Sequence, residues 1–120
     1  MTASNGDARQ PQLTVLPWGR SAFTVAISAL DGRRVIHVSG ELDLSTRDVV
    51  HGACVVDDGH DVTVDLRAIT FLDCSGYSGL VAARRELESR GGSLFVTEPL
   101  GQPARLLAIL SMTDRVHTLV

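Results

Sequence analysis

The stretch Thr70-Phe71-Leu72-Asp73-Cys74-Ser75-Gly76-Tyr77-Ser78-Gly79-Leu80-Val81 changes its period partway through. Just before it, Val62, Val64 and Leu66 alternate with Thr63 and Asp65, the period of two that marks a half-buried strand. From Leu80 on, Leu80, Val81, Ala83 and Leu87 fall on one side of a helix. A buried strand that turns at once into a helix puts Ser75 at the helix N-terminus, where unpaired N–H groups and the positive end of the dipole favour an added negative charge. A serine so placed is a candidate phosphate acceptor.

Working outward from this junction, upstream positions Phe23, Val25, Ile27 and Ala29 share one strand face. Asp31-Gly32 supplies a hairpin turn, and Val35-Ile36-His37-Val38 forms the return strand. After Gly40-Glu41-Leu42-Asp43, the run Ser45-Thr46-Arg47-Asp48 offers an N-cap with an acid three residues on, and Val49, Val50, Ala53 and Cys54 make a short helical stripe ended by Asp57-Asp58-Gly59. Downstream, Gly91-Gly92 stops the helix that follows Ser75, and Leu94-Phe95-Val96 reads as a buried strand. Pro103 opens another helix with Leu106, Leu107 and Leu110 as its stripe, and Val116 to Val120 is a last short strand. The order is strand, strand, helix, strand, helix, strand, helix, strand. It predicts an α/β fold: a mixed sheet, antiparallel in its first hairpin and mainly parallel elsewhere, covered by helices. Residues 1–21, with Pro11, Pro17 and Gly19 and no sustained period, are expected to be a flexible arm, and residues 22–120 the domain.

The chain's 120 residues suit one core. A net charge of −3 argues against a general basic surface for nucleic acid. No segment approaches the length of a membrane span, and the N-terminus lacks the apolar run of a signal peptide, so the expected location is the cytoplasm. Cys54 and Cys74 give neither a disulfide framework nor metal-ligand spacing, which fits a reducing compartment.

Rival chemistry at the junction is poorly supported. A serine beside a glycine at a helix start is also simply a good cap. As a nucleophile Ser75 lacks the Gly-x-Ser-x-Gly elbow, and His37, His51, His60 and His117 are scattered through unrelated elements. Gly76 and Gly79 lack the lysine and spacing of a phosphate-binding loop and read instead as sites of close helix packing. Cys74 is expected to be buried under the turn. Asp43 and Asp73 as a shared cation site is a weak idea, since carboxylates at loop tips usually cap and solvate. No catalytic residue, cofactor or metal is assigned.

Two segments carry a family resemblance. Val38-Ser39-Gly40-Glu41-Leu42-Asp43 is similar to the Gly-Glu-Leu-Asp turn of the STAS domain family, and Val64 to Gly76 is similar to that family's Asp-Leu-x-x-Ile-x-Phe-Leu-Asp-Ser-Ser-Gly signature. Arg90-Gly91-Gly92 and Ser111 to Val116 match in register. The chain thus resembles, from about Phe23 to Val120, the single-domain bacterial anti-sigma factor antagonists. The resemblance implies that Ser75 is phosphorylated by an anti-sigma factor that is itself a serine kinase, which keeps the ATP. It implies that the unphosphorylated form binds this partner and frees a sigma factor, with a phosphatase to reset Ser75. It also implies a partner surface of Asp43, Leu44, Ser45 and Thr46 with Asp73, Cys74, Gly76 and Tyr77. Cys74 stands where serine is common. Tyr77 stands where many relatives carry an aliphatic residue, so its ring is expected to tune partner choice. The alternative from another class is a scaffold subunit of a larger signalling assembly, in which Ser75 only caps its helix.

Overall fold

A computed structural model describes residues 12–16, 23–30, 32–56, 61–112 and 117–119. Six strands, β1 (Gln12–Leu16), β2 (Phe23–Leu30), β3 (Arg33–Leu42), β4 (Asp61–Leu72), β5 (Ser93–Thr97) and β6 (His117–Leu119), form one sheet in sequence order. Three helices, α1 (Arg47–Val55), α2 (Cys74–Ser89) and α3 (Gly101–Leu110), link the strands from β3 onward. The pairs β1–β2 and β2–β3 are antiparallel, and β3–β4, β4–β5 and β5–β6 are parallel. This is the mixed sheet the periodicity predicts: a hairpin needs only a tight turn, whereas parallel neighbours need a crossover helix.

β1 departs from the expected arm. Gln12–Leu16 pairs with β2 from Gln12↔Ile27 to Leu16↔Phe23. Leu13 and Val15 alternate with Thr14 inside it, a period too short to stand out between Pro11 and Pro17. The remainder of residues 1–22 lies outside the described residues, as do Asp31 of the predicted turn, the Asp57-Asp58-Gly59 stop, His60 and the Thr113–Val116 part of the closing motif.

One face of the sheet carries the core. Val25↔Val38, Ile36↔Val64, Val62↔Leu94 and Val64↔Val96 are cross-strand partners, and all these side chains are buried. Val50 and Cys54 of α1, Leu80, Ala83 and Leu87 of α2, and Leu107 of α3 pack into the same cluster. Burial pushes the Cys54 thiol up to about 12, only partly offset by Arg34, so it is a small apolar core residue and not a nucleophile. Gly91 and Gly92 end α2 through N–H bonds to the carbonyls of Glu88 and Leu87.

Candidate functional site

The junction is built from the ends of β3 and β4. Gly40, at φ 95°, sits where the β3–β4 register slips, so that Glu41 pairs with Phe71 and Leu42 with Leu72. A side chain would strain that backbone, and the bulge re-aims the strand end. The Leu42 carbonyl then accepts from the N–H of Asp73 at 3.3 Å. Gly76 lies directly against it: a Cβ there would come to 2.8 Å from the Leu42 carbonyl carbon. The first turn of α2 therefore rests on the backbone of β3, which only glycine permits. Gln102 of α3 holds the other side, its amide bonding both the N–H and the C=O of Leu72 at 3.0 and 2.8 Å.

Asp73 is the cap of α2. Its carboxylate accepts from the Gly76 N–H at 2.8 Å and its backbone is extended. This corrects the capping role considered for Ser75, which is the second residue of the helix. Among the hydrogen bonds of the described residues none uses the Ser75 hydroxyl; only its carbonyl is engaged, by Ser78 Oγ at 2.8 Å. Ser75 is half-buried.

The second loop, residues 43–46, is locked from within. Thr46, 5% exposed, donates its hydroxyl to the Glu41 carbonyl at 2.8 Å and accepts from the Asp43 N–H at 2.9 Å. The Asp43 carboxylate accepts from both the N–H and the hydroxyl of Ser45, at 3.0 and 2.7 Å. Thr46, not Ser45, precedes α1, and it makes no side-chain cap bond, so the predicted capping box is absent. The result is a tight loop that turns Leu44 outward, 63% exposed.

The two predicted halves of the surface are thus brought together, but not every residue named for it is presented. Asp43, Leu44, Ser45, Asp73, Cys74 and Ser75 reach the surface at least in part. Thr46, Gly76 and Tyr77 are buried. Tyr77 is 5% exposed and belongs to the core cluster, so its ring packs in the core instead of on this surface. The reason is helical period: Tyr77 lies three and four residues before Leu80 and Val81, on the inward stripe, while Ser75 and Ser78 lie on the outward one. Cys74, expected under the turn, is exposed as the first residue of α2. Phe71 and Leu100, 39% and 81% exposed at the same end of the sheet, went unnoticed in the sequence. A break in alternation at Phe71-Leu72 was the signal for the first.

A second polar cluster occupies the open face of the sheet. Ser28 Oγ, His37 Nε2 and Nδ1, and Asp65 Oδ2 form a row at 3.2 and 3.1 Å. The row has the order of a nucleophile, base and acid. However, Asp65 is engaged by the Arg67 guanidinium through two bonds, at 2.9 and 3.0 Å, and by the Thr97 hydroxyl. Ser28 sits in the β2–β3 ladder, not on a turn whose amides could hold an oxyanion. The row braces the sheet face.

A family model described as "Mlab, STAS domain" matches residues 25–120, and the chain belongs to the STAS domain family. An anti-sigma factor antagonist from Mycobacterium paratuberculosis is similar in structure, with TM-score 0.63 and 29% identity over 79% of this chain and 85% of that one. The anti-sigma factor antagonist SpoIIAA in its unphosphorylated form superposes with TM-score 0.62 and 18% identity over 80% and 88% of the two chains. The phosphorylated form of SpoIIAA, a Bacillus cell fate determinant, gives 0.60 and 16% over 80% and 91%. Curated protein sequences yield no match. The fold is that of these anti-sigma factor antagonists. No helix among the described residues is long and apolar enough to cross a membrane.

Proposed function

We propose that this chain is an anti-sigma factor antagonist of the cytoplasm, whose unmodified form binds an anti-sigma factor serine kinase and so frees a sigma factor. Phosphorylation of Ser75 switches that binding off, and a phosphatase restores it. The reading rests on a serine whose hydroxyl makes no hydrogen bond among the described residues, on a helix start already capped by Asp73 and seated on Leu42, beside the loop that presents Leu44.

In the transfer, Ser75 Oγ attacks the terminal phosphorus of the kinase's ATP. The Oγ–P bond forms as the bond to ADP breaks, and the serine proton passes to a base of the kinase. Because Asp73 is the cap, modification of Ser75 breaks no bond that holds α2, so the fold is expected to persist while the surface changes. The phosphate takes the net charge from −3 to about −5. It also places bulk and charge in an interface, where each 1.4 kcal/mol is about tenfold in affinity. The scaffold alternative loses its structural role for Ser75, and no observation favours it.

The test is incubation with candidate anti-sigma kinases and ATP, with the modified residue mapped by mass spectrometry. Labelling at Ser75 that disappears in Ser75→Ala supports the reading. Equal labelling of the Ser75→Ala protein contradicts it.

A further inference from the structure

A groove of about 300 Å³ runs between α1 and α2, walled by Arg47, Asp48 and His51 on one side and Ser78, Gly79 and Ala82 on the other. The helices close tightly here, because a Cβ at Gly79 would already lie 3.0 Å from the Cβ of Arg47. The stem of Arg47 is thereby fixed against α2. Its guanidinium is held only loosely: Nη1 donates to Ser78 Oγ at 3.4 Å, and Nε stands 3.6 Å from the Asp48 carboxylate, whose side chain is 91% exposed. Ser75 lies one turn before Ser78 on the same stripe, and side chains so spaced have Cβ atoms about 5–6 Å apart. The groove and the acceptor therefore share one helix face.

We propose that Arg47 receives the phosphate placed on Ser75, an inference that rests on Ser75 being the acceptor. The guanidinium leaves its two long contacts and donates a pair of charge-assisted N–H bonds to two phosphoryl oxygens, a geometry that its planar fork matches. The phosphate is then held across the α1 side of the surface, over the 43–46 loop, instead of trailing in solvent. Modification so anchored covers both halves of the partner surface at once. Other charged groups of the described residues lie close by. Asp43 and Asp73 flank the loops, Asp48 lies on α1, and His51, one turn further along the groove, stands 3.5 Å from Glu86 of α2. The carboxylates raise the second ionisation of a phosphoserine, ordinarily near pH 6, and Arg47 lowers it.

The experiment uses the full chain with phosphoserine inserted at position 75 during translation, so that no kinase is needed. Phosphorus NMR then follows the phosphate through its second ionisation. The phosphate of the otherwise unaltered chain is expected to titrate at least roughly 0.5 pH unit below that of the Arg47→Ala chain, with Arg47→Lys between them and the gap shrinking in high salt. Alanine keeps the Cβ that touches Gly79, and amide spectra of each variant establish that it is folded. Coincident titrations of the unaltered and Arg47→Ala chains, both folded, would overturn the proposal. Binding of the same phosphoproteins to the partner separates the two ideas. Release without a titration difference retains the switch and removes Arg47 as receptor, whereas a titration difference without release retains the receptor and removes the switch.

Discussion

Helix α2 begins on a side-chain cap and helix α1 does not, although the two starts lie against each other. At α2, Asp73 satisfies the Gly76 N–H and the backbone of Leu42 forms the floor, so the first turn is fixed whatever Ser75 does. At α1, Thr46 turns its hydroxyl back to Glu41 and Asp43, which locks the loop and leaves the helix end itself uncapped by a side chain. One start is a rigid pedestal for Ser75, the proposed acceptor. The other is a loop braced to display Leu44. The bonds that hold this surface therefore belong to residues other than Ser75 and Leu44, the two proposed to meet a partner, and the contrast can be broken one residue at a time.

The largest effect is expected from Gly76→Ala. The new methyl cannot avoid the Leu42 carbonyl without moving β3 or α2, so a loss of about 2–4 kcal/mol is expected in denaturant melts. A loss under about 0.5 kcal/mol would mean that the pedestal is looser than described. Thr46→Val comes next: it keeps the shape but removes the hydroxyl that joins Glu41 to the loop, at a cost of about 1–3 kcal/mol. The loop should loosen, with faster amide exchange confined to residues 43–46. Asp73→Ala removes the cap for about 1 kcal/mol, most of it recovered in Asp73→Asn, which retains an acceptor. If alanine and asparagine were equally destabilising, the charge would matter instead of the hydrogen bond.

The open face supplies a smaller, pH-dependent contrast. Hydrogen bonds from the Arg67 guanidinium, with help from Thr97 and His37, hold the Asp65 carboxyl well below the usual carboxylate range. A depressed folded-state pKa contributes stability that is complete above the unfolded value of about 3.9 and lost as pH falls below it. The stability advantage over Asp65→Asn should therefore be steady at neutral pH and shrink below about pH 4 in paired melts. An advantage that stays constant down to pH 2 would remove the charge from the explanation. Smallest of all, Ser75→Ala should change stability by less than about 0.5 kcal/mol, because its hydroxyl makes no hydrogen bond among the described residues.

The sheet and helices were legible because their periods are clean: Val62-Thr63-Val64-Asp65-Leu66 alternates, and Leu80, Val81, Ala83 and Leu87 repeat as a helix. The short β1 was hidden by flanking prolines that read as breakers, and the cap was placed two residues late because serine and aspartate are both good caps. Tyr77 is close to Ser75 along the chain but not on its face of the helix. A step of one residue is about 100° around a helix, so two residues past Ser75 the side chain points into the core. The register slip at Gly40, which seats α2 on Leu42, depends on pairing between distant strands and left no local mark beyond the glycine itself.

Ser75 is proposed as a switch on a surface whose support does not depend on it. Calorimetric titration of the cognate anti-sigma kinase into the unmodified chain and into the chain carrying phosphoserine at 75 tests it most directly. The account predicts tight binding by the first and at least about tenfold weaker binding by the second, a difference of about 1.4 kcal/mol or more, with both chains equally folded. Equal affinity of the two folded forms would contradict it.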